Sequence, residues 1–449
     1  MSSPDETSTE ETINIDESFQ AVARIISIED ADIEQVDSGI IAGRSQELSS
    51  QNQYIVYSDG IYEGVFSQEW NSKESTDQVW IKLNELRKEL MDTGLLKDPS
   101  DVSHQTAKES NRREIIETIK DLLDRFAKTN KPIGILSRRD WSNTVFDEIL
   151  GVRLSENEDN IKYTIIKKKK RAQMLTLLCR VYLLLSSNRF ATKRHLYYLD
   201  KGAYGKQIVC DQLIEDLCCI TNNTRKELHI LSCPKGLIYG KLKFKLHNVP
   251  YNCSDHPFGL TISQDIDLIE DIQSDAKFIM IVEKDASFQH LINQKILDKF
   301  PIIMMTGKGF PDCDTRRFLK ILTQTLSIPV LGLFDANPWG LEILCIYRYG
   351  SLSLAHDAEN CTVPQIRWLG LLPSDIERFS IDKPLTDALD TLDLMKINSL
   401  KRRPFMRLNK QWAHELQIME RSGVKAELQA IENCVETYLP LKIQNGGWI

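Results

Sequence analysis

Beyond residue 277 the chain repeats one pattern. A run of four or five apolar residues is followed by a stretch in which apolar residues recur every third or fourth position. The runs at 278–282, 302–305 and 330–334 predict strands, and the stretches at 288–299, 314–326 and 340–349 predict helices. Strands alternating with helices predict parallel βαβ units, and ligands of such sheets gather at the carboxyl ends of the strands. Glu283, the Gly307-Lys308-Gly309 loop and Asp335 fall at such ends. The last hundred residues carry mainly helical spacing, at 385–395 and 413–439.

Upstream the period is helical at 79–95, 114–128, 167–185 and 204–220, with a short helix or extended pair at 138–149. Thr192 is placed to cap a short helix over 193–198. Two strand-like pieces follow, 228–231 and 237–246, with Pro234-Lys235-Gly236 between them. Residues 248–264, with Pro250, Pro257 and Gly259, read as a linker. Three helices followed by a short β-hairpin is the order of a winged-helix DNA-binding domain. The expected architecture is α/β and multidomain: an acidic, partly disordered arm over 1–109, a winged-helix domain over 110–247, and an α/β domain over 248–449.

Charge sharpens this division. Residues 1–66 hold fourteen Asp and Glu against Arg24 and Arg44, a net of −12, whereas 161–206 hold twelve Lys and Arg against the single acid Asp200, a net of +11. A basic block with almost no compensating acid is the footprint of a polyanion-binding module. Within the arm, the amphipathic piece 19–28 is a candidate for ordering on a partner. No apolar run reaches the roughly 18–20 residues that span a bilayer, and the acidic start is neither a secretory signal nor a transit peptide. The ten cysteines lack C-x-x-C spacing. They are expected to be reduced thiols in a cytosolic or nuclear protein.

The candidate chemistry centres on residues 187–200, where Arg189, Lys193 and Arg194 lie close to Tyr197 and Tyr198. A phenol, with an ordinary pKa of about 10, is a poor nucleophile at neutral pH, and neighbouring cations both stabilise the phenolate and hold a phosphodiester. Neighbours on a helix point about 100° apart, so one ring faces outward and the other packs inward; the spacing alone does not say which. Glu283 and Asp335 at two strand ends can share one Mg²⁺ through hard oxygen ligands, which would act as a Lewis acid on the phosphate. Lys284, Lys308 and Arg348 are candidate phosphate contacts, and Phe310 is a candidate for stacking on a base. The cationic run 167–171 opens a helix against its dipole and matches a nuclear localisation patch. The chain has no G-x-x-x-x-G-K-[ST], so no ATP is expected on it.

Four segments carry a family resemblance: 191–198 (Ala-Thr-Lys-Arg-His-Leu-Tyr-Tyr), 278–286 (Phe-Ile-Met-Ile-Val-Glu-Lys-Asp-Ala), 305–311 (Met-Thr-Gly-Lys-Gly-Phe-Pro) and 333–340 (Leu-Phe-Asp-Ala-Asn-Pro-Trp-Gly). In order and spacing they resemble the A-type chain of topoisomerase VI, and most closely its eukaryotic branch, the meiotic DNA double-strand-break transesterase. Residues 367–374 and the closing Gly446-Gly447-Trp448-Ile449 resemble the same branch. The resemblance implies a CAP-like winged helix bearing the nucleophile, followed by a Toprim Rossmann-like domain bearing the metal. It implies a homodimer on double-stranded DNA in which one chain's tyrosine meets the other's metal site, leaving a 5′-phosphotyrosyl end. It points to Tyr198 as the nucleophile, Arg194 as its assistant, and Lys193, Lys308 and Phe310 as DNA contacts. Glu283, Asp335 and Asn337 match the metal positions. A topoisomerase VI B-like subunit that binds ATP, together with meiotic accessory proteins, is the implied set of partners, at chromosomes in the nucleus.

Two residues depart from the family pattern. His195 stands where the motif has Asp, and Asn337 replaces the second Asp of D-x-D, which predicts weaker or more Mn²⁺-tolerant metal binding. They are the basis of a competing expectation, a non-cleaving DNA-binding scaffold of the same fold. A third expectation, a strand-passing topoisomerase component, differs by religation with a B-like partner.

Overall fold

The structure, a computed structural model, describes residues 75–97, 112–128, 133–136, 141–155 and 163–449. The acidic stretch 1–66, with the amphipathic piece 19–28, lies outside these residues.

Helix α1 (Thr76–Asp92) precedes a helical body built from α2 (Arg112–Lys128), α3 (Lys168–Ser186), α4 (Lys193–Leu199) and α5 (Gln207–Thr221). Their apolar stripes close one core, in which Ile119 and Phe126 of α2 meet Leu178 and Val181 of α3, Leu196 of α4 and Leu213 and Leu217 of α5. Several cations of the basic block are used inside this body. Lys170 pairs with Asp216 at 2.8 Å, and Arg171 Nε donates to the Phe126 carbonyl. Lys167, Lys168, Lys169, Arg189, Arg194, Lys201 and Lys206 remain exposed.

The second body is a six-stranded mixed sheet. Its strands are β1 (Leu237–Gly240), β2 (Leu260–Thr261), β3 (Phe278–Val282), β4 (Ile302–Thr306), β5 (Val330–Leu333) and β6 (Ile366–Gly370), in the spatial order β2-β1-β4-β3-β5-β6. Strands β4, β3, β5 and β6 are parallel, and β1 and β2 add antiparallel at one edge. Helices α6 (Asp285–Asn293), α7 (Cys313–Leu326) and α8 (Pro338–Tyr349) connect the parallel strands. Both faces of the sheet are covered, which is why its central strands read as unbroken apolar runs. Ile279, Ile281 and Ile303 face a core shared with Phe318, Leu344, Trp412 and Leu416. Phe278, Met280 and Val282 face the opposite core, shared with Phe288, Tyr438 and Ile443.

Four sequence expectations change here. Helix α1 falls in the span assigned to the arm, yet its Val79, Leu83, Leu86 and Leu90 are buried in the sheet's second core, and Ser75 N donates to Gln444 Oε1 at 2.9 Å. The hairpin of 228–231 with 237–246 does not form. Ile230–Leu231 runs parallel to Ala191–Thr192, and β1 pairs with β4 instead, because Gly240 (φ +113°) lets the two backbones approach: a Cβ there would meet the Ile302 carbonyl oxygen at 2.3 Å. The linker reading of 248–264 gives way to structure, since Val249–Asn252 is the edge of a three-stranded sheet, where Pro250 is tolerated. The helix expected over 413–439 stops at Ser422, capped by Gly423 in the left-handed region, and Val424–Ala426 forms a short strand with Thr386–Ala388.

Candidate active site

Helix α4 carries the tyrosine pair. Its N-terminus is set by the Ala191–Thr192 strand and by the Thr192 hydroxyl, which accepts from His195 N at 3.1 Å. At its other end, Arg180 of α3 donates through Nε and Nη2 to Asp200 at 2.8 Å each, a bidentate clamp. Between these anchors Leu196 is buried, and the two rings stay in contact, centroids 5.3 Å apart, but in different surroundings. Tyr197 packs against the helical core and donates its hydroxyl to the Gly205 carbonyl at 3.1 Å. Tyr198 is 66% exposed. Arg194 lies one turn earlier on the same face and is also exposed. Lys193 is partly buried, with its ammonium 3.7 Å from Asp211.

The two acids meet at the switch point of the sheet. The chain passes from β3 to β4 on one side and returns to β5 on the other, so the order reverses between β3 and β5, where doubly wound sheets open a ligand crevice. Glu283 follows β3 and Asp335 follows β5, and both are buried. Asp335 N donates to Glu283 Oε2 at 2.8 Å. Asp335 Oδ1 accepts from Leu428 N at 2.9 Å, and Oδ2 lies 2.8 Å from Lys284 Nζ, which also reaches Glu427 Oε1 at 2.6 Å. Burial, together with the Asp335 charge, pushes the Glu283 carboxyl up to about 8, and burial likewise raises Asp335. Two buried carboxylates that resist joint ionisation, with an ammonium already drawn between acids, fit a hard divalent cation.

Gly340 makes room for this arrangement. A Cβ there would meet the Asp335 carbonyl oxygen at 2.4 Å and Glu283 Oε2 at 2.9 Å. Asn337 is the N-cap of α8, and its Oδ1 accepts from Trp339 N at 3.0 Å and Gly340 N at 2.8 Å. Both lone pairs of that oxygen are engaged. Glu427 is the acid that sequence reasoning missed. It lies in a span read as continuous helix, and only the Gly423 cap signalled that the chain turns back there.

The 307–310 loop sits on the same strand tips. Gly309 N donates to the Glu283 carbonyl at 2.8 Å, and Thr306 Oγ1 donates to it at 3.2 Å. Lys308 (φ +51°) places its ammonium 3.2 Å from Asp285, and Phe310 is half-exposed. Arg348 is not available as a phosphate contact. Its Nη1 donates to the Ile366 carbonyl, and its guanidinium lies over the Tyr349 and Trp412 rings. All ten cysteines are free thiols. Among the described residues no helix is long and apolar enough to cross a membrane.

Comparison with known proteins adds two family matches. Residues 278–443 match the Toprim domain of the topoisomerase 6 A-subunit/Spo11 family, and 169–230 match type IIB DNA topoisomerase. The Toprim match implies a divalent metal. The chain is 40% identical over 342 residues to human meiotic recombination protein SPO11, covering 74% of this chain and 86% of that protein. It is 35% identical over 303 residues to meiotic recombination protein spo-11 of Caenorhabditis elegans (67% and 71% covered). Over 279 residues it is 35% identical to the A-type chain of DNA topoisomerase 6 from Arabidopsis thaliana (61% and 65% covered).

Proposed function

This chain belongs to the topoisomerase 6 A-subunit/Spo11 family, and on that premise we propose how its residues cut DNA. It is a topoisomerase-like DNA-cleaving transesterase of meiotic recombination. The Tyr198 phenol oxygen attacks a backbone phosphorus and loses its proton. The bond to the 3′ oxygen breaks, that oxygen leaves as a hydroxyl, and the phosphate stays on Tyr198 as a 5′-phosphotyrosyl link. One phosphoester bond is exchanged for another, so the cut needs no nucleotide hydrolysis at this site. Arg194 steadies the phosphate beside the phenol, and Lys193, Lys308 and Phe310 contact the duplex; Lys193 and Lys308 give up their pairs with Asp211 and Asp285 to do so.

Glu283 and Asp335 would hold the cation; Glu427 would complete its oxygen set on release from Lys284, or Asn337 on giving up its cap of Trp339 N and Gly340 N. Mg²⁺ suits these hard donors, and when bound it supplies Lewis-acid stabilisation of the phosphate charge. The residues themselves keep the acid pair buried and aligned through the Asp335 N–H bond and the Gly340 close approach. The helical body of α2 to α5, within the 110–247 span expected as a winged helix but without β1, acts as the reader of the DNA backbone. Two copies of the chain on one duplex provide two cuts. Their partners on nuclear chromosomes are meiotic accessory proteins and a B-like chain that binds ATP.

The observation that carries this reading is the different placement of the two hydroxyls, Tyr197 tied to the Gly205 carbonyl and Tyr198 exposed on the face that carries Arg194. Its test is recovery of denaturation-resistant protein–oligonucleotide complexes from meiotic cells. The wild-type chain forms them and Tyr198→Phe does not. A wild-type chain that forms none is the scaffold, and the proposal falls.

A further inference from the structure

A second group of ligand-type side chains lies outside the carboxylate site. Cys313 opens α7, Asp357 precedes the single turn Ala358–Cys361, and Cys361 ends it. Cys313 Sγ lies 3.4 Å from Cys361 Sγ, and Asp357 Oδ2 lies 3.7 Å and 3.6 Å from the two sulfurs. Among the described residues this is the group of three or more Cys, His, Asp and Glu side chains whose ligand atoms all lie within 4.8 Å of one another.

The triangle has the dimensions of a tetrahedral zinc face. With Zn–S near 2.3 Å and Zn–O near 2.1 Å, ligand atoms stand about 3.8 Å (S to S) and about 3.6 Å (S to O) apart. The three edges match these within a few tenths of an ångström. Thiolate ligands favour a soft ion over the Mg²⁺ suited to all-oxygen donors.

Charge supports the same occupant. Two thiolates and Asp357 would bring three negative charges into a largely buried place. Arg316, one turn along α7 from Cys313, is 2% exposed, and its Nε and Nη1 find no hydrogen-bond partner among the described residues. One dication and this guanidinium balance the three anions, while the Arg225 guanidinium beside Cys313 is offset by Glu215. A cavity of ≈ 30 Å³ borders Cys313 and Asp357 and is lined also by Arg225 and His356, which is room for a water at the fourth position.

We propose that Cys313, Asp357 and Cys361 form a structural zinc site, with water as the fourth ligand and Arg316 as its buried counter-charge. The site staples the first turn of α7, just after the 307–310 loop, to the 357–361 turn. It does so where Arg225, which follows α5 and pairs with Glu215, lines the same cavity as Cys313 and Asp357. It is separate from the proposed Mg²⁺ carboxylates and does not depend on the cleavage reading.

The test is elemental analysis of the full-length protein purified without chelators. The expected result is one zinc per chain, retained in Cys233→Ser, which removes an exposed thiol, and lost in Cys313→Ser and in Cys361→Ser. Exchange with Co²⁺ should produce thiolate-to-cobalt charge-transfer absorption in the wild type, which decides the matter even if either Ser variant fails to fold. The proposal is overturned by a wild-type protein that holds no zinc and gives no such absorption. It is equally overturned by zinc retained in Cys361→Ser, or by denatured protein that titrates two thiols fewer than ten because Cys313 and Cys361 are a disulfide.

Discussion

The backbone N–H of Asp335 donates to the side chain of Glu283, Oε2 at 2.8 Å, so the second acid of the pair helps to hold the first. This bond favours the ionised Glu283, but burial and the Asp335 charge outweigh it and leave the carboxyl near 8. The folded chain thus binds the proton more tightly than the unfolded one, whose carboxyl titrates near 4.5. This contribution to stability is fully present below pH 4.5 and is lost as pH rises toward about 8. Thermal unfolding of metal-free protein should therefore show a fall in Tm over this window that Glu283→Gln lacks. Saturating Mg²⁺ should restore the wild-type Tm most strongly at the alkaline end. Parallel Tm–pH curves for the wild type and Glu283→Gln would remove the assignment.

Gly340→Ala places a methyl group against the Asp335 carbonyl and Glu283 Oε2. Repacking a crowded site costs about 1–3 kcal/mol, which an otherwise intact fold survives. Cleavage should be lost while circular dichroism stays native. Full activity in this variant would mean that the two acids need no such close packing.

Tyr197→Phe removes one hydroxyl bond to the Gly205 carbonyl, worth about 0.5–1.5 kcal/mol. Covalent protein–DNA complexes should persist with a slightly lower Tm, in contrast to Tyr198→Phe, where they fall to background. Abolition by Tyr197→Phe in folded protein would reverse the assignment within the pair.

Asn337→Asp keeps an N-cap acceptor for α8 and adds negative charge beside Glu283 and Asp335. Mg²⁺ titration of cleavage should shift to lower concentration, about tenfold for each ~1.4 kcal/mol that the added ligand charge contributes. Any preference for Mn²⁺ should relax in parallel. An unchanged Mg²⁺ midpoint would place residue 337 outside the metal's reach, with Glu427 left as the third acid.

Lys442→Met tests what holds the C-terminal segment on the sheet. Lys442 and Asp375 are both fully buried, with Nζ 2.8 Å from Oδ2, and the Tyr438 hydroxyl donates to the same carboxylate at 2.7 Å. Removing one partner strands the other charge and should cost about 3–5 kcal/mol. The exposed pair Lys401–Glu420 supplies the control: Lys401→Met should cost about 0–1 kcal/mol. Equal denaturation midpoints for the two variants would refute this account.

The chain's own order of residues determined the parallel strands, their helices and the acids at their ends, because apolar period and helix caps are local signals. Phe278–Val282 forms the strand its apolar run predicts, and Thr192 caps α4 as its position suggested. Local signals could not decide which ring of the tyrosine pair faces out, since that depends on a hydroxyl acceptor at Gly205 and on the core beneath α4. Nor could they place β1 against β4, α1 on the sheet, Glu427 beside Lys284, or Cys313 next to Cys361. Each of these joins residues far apart in sequence, and only the closing of a shared core brings such partners within reach of one another.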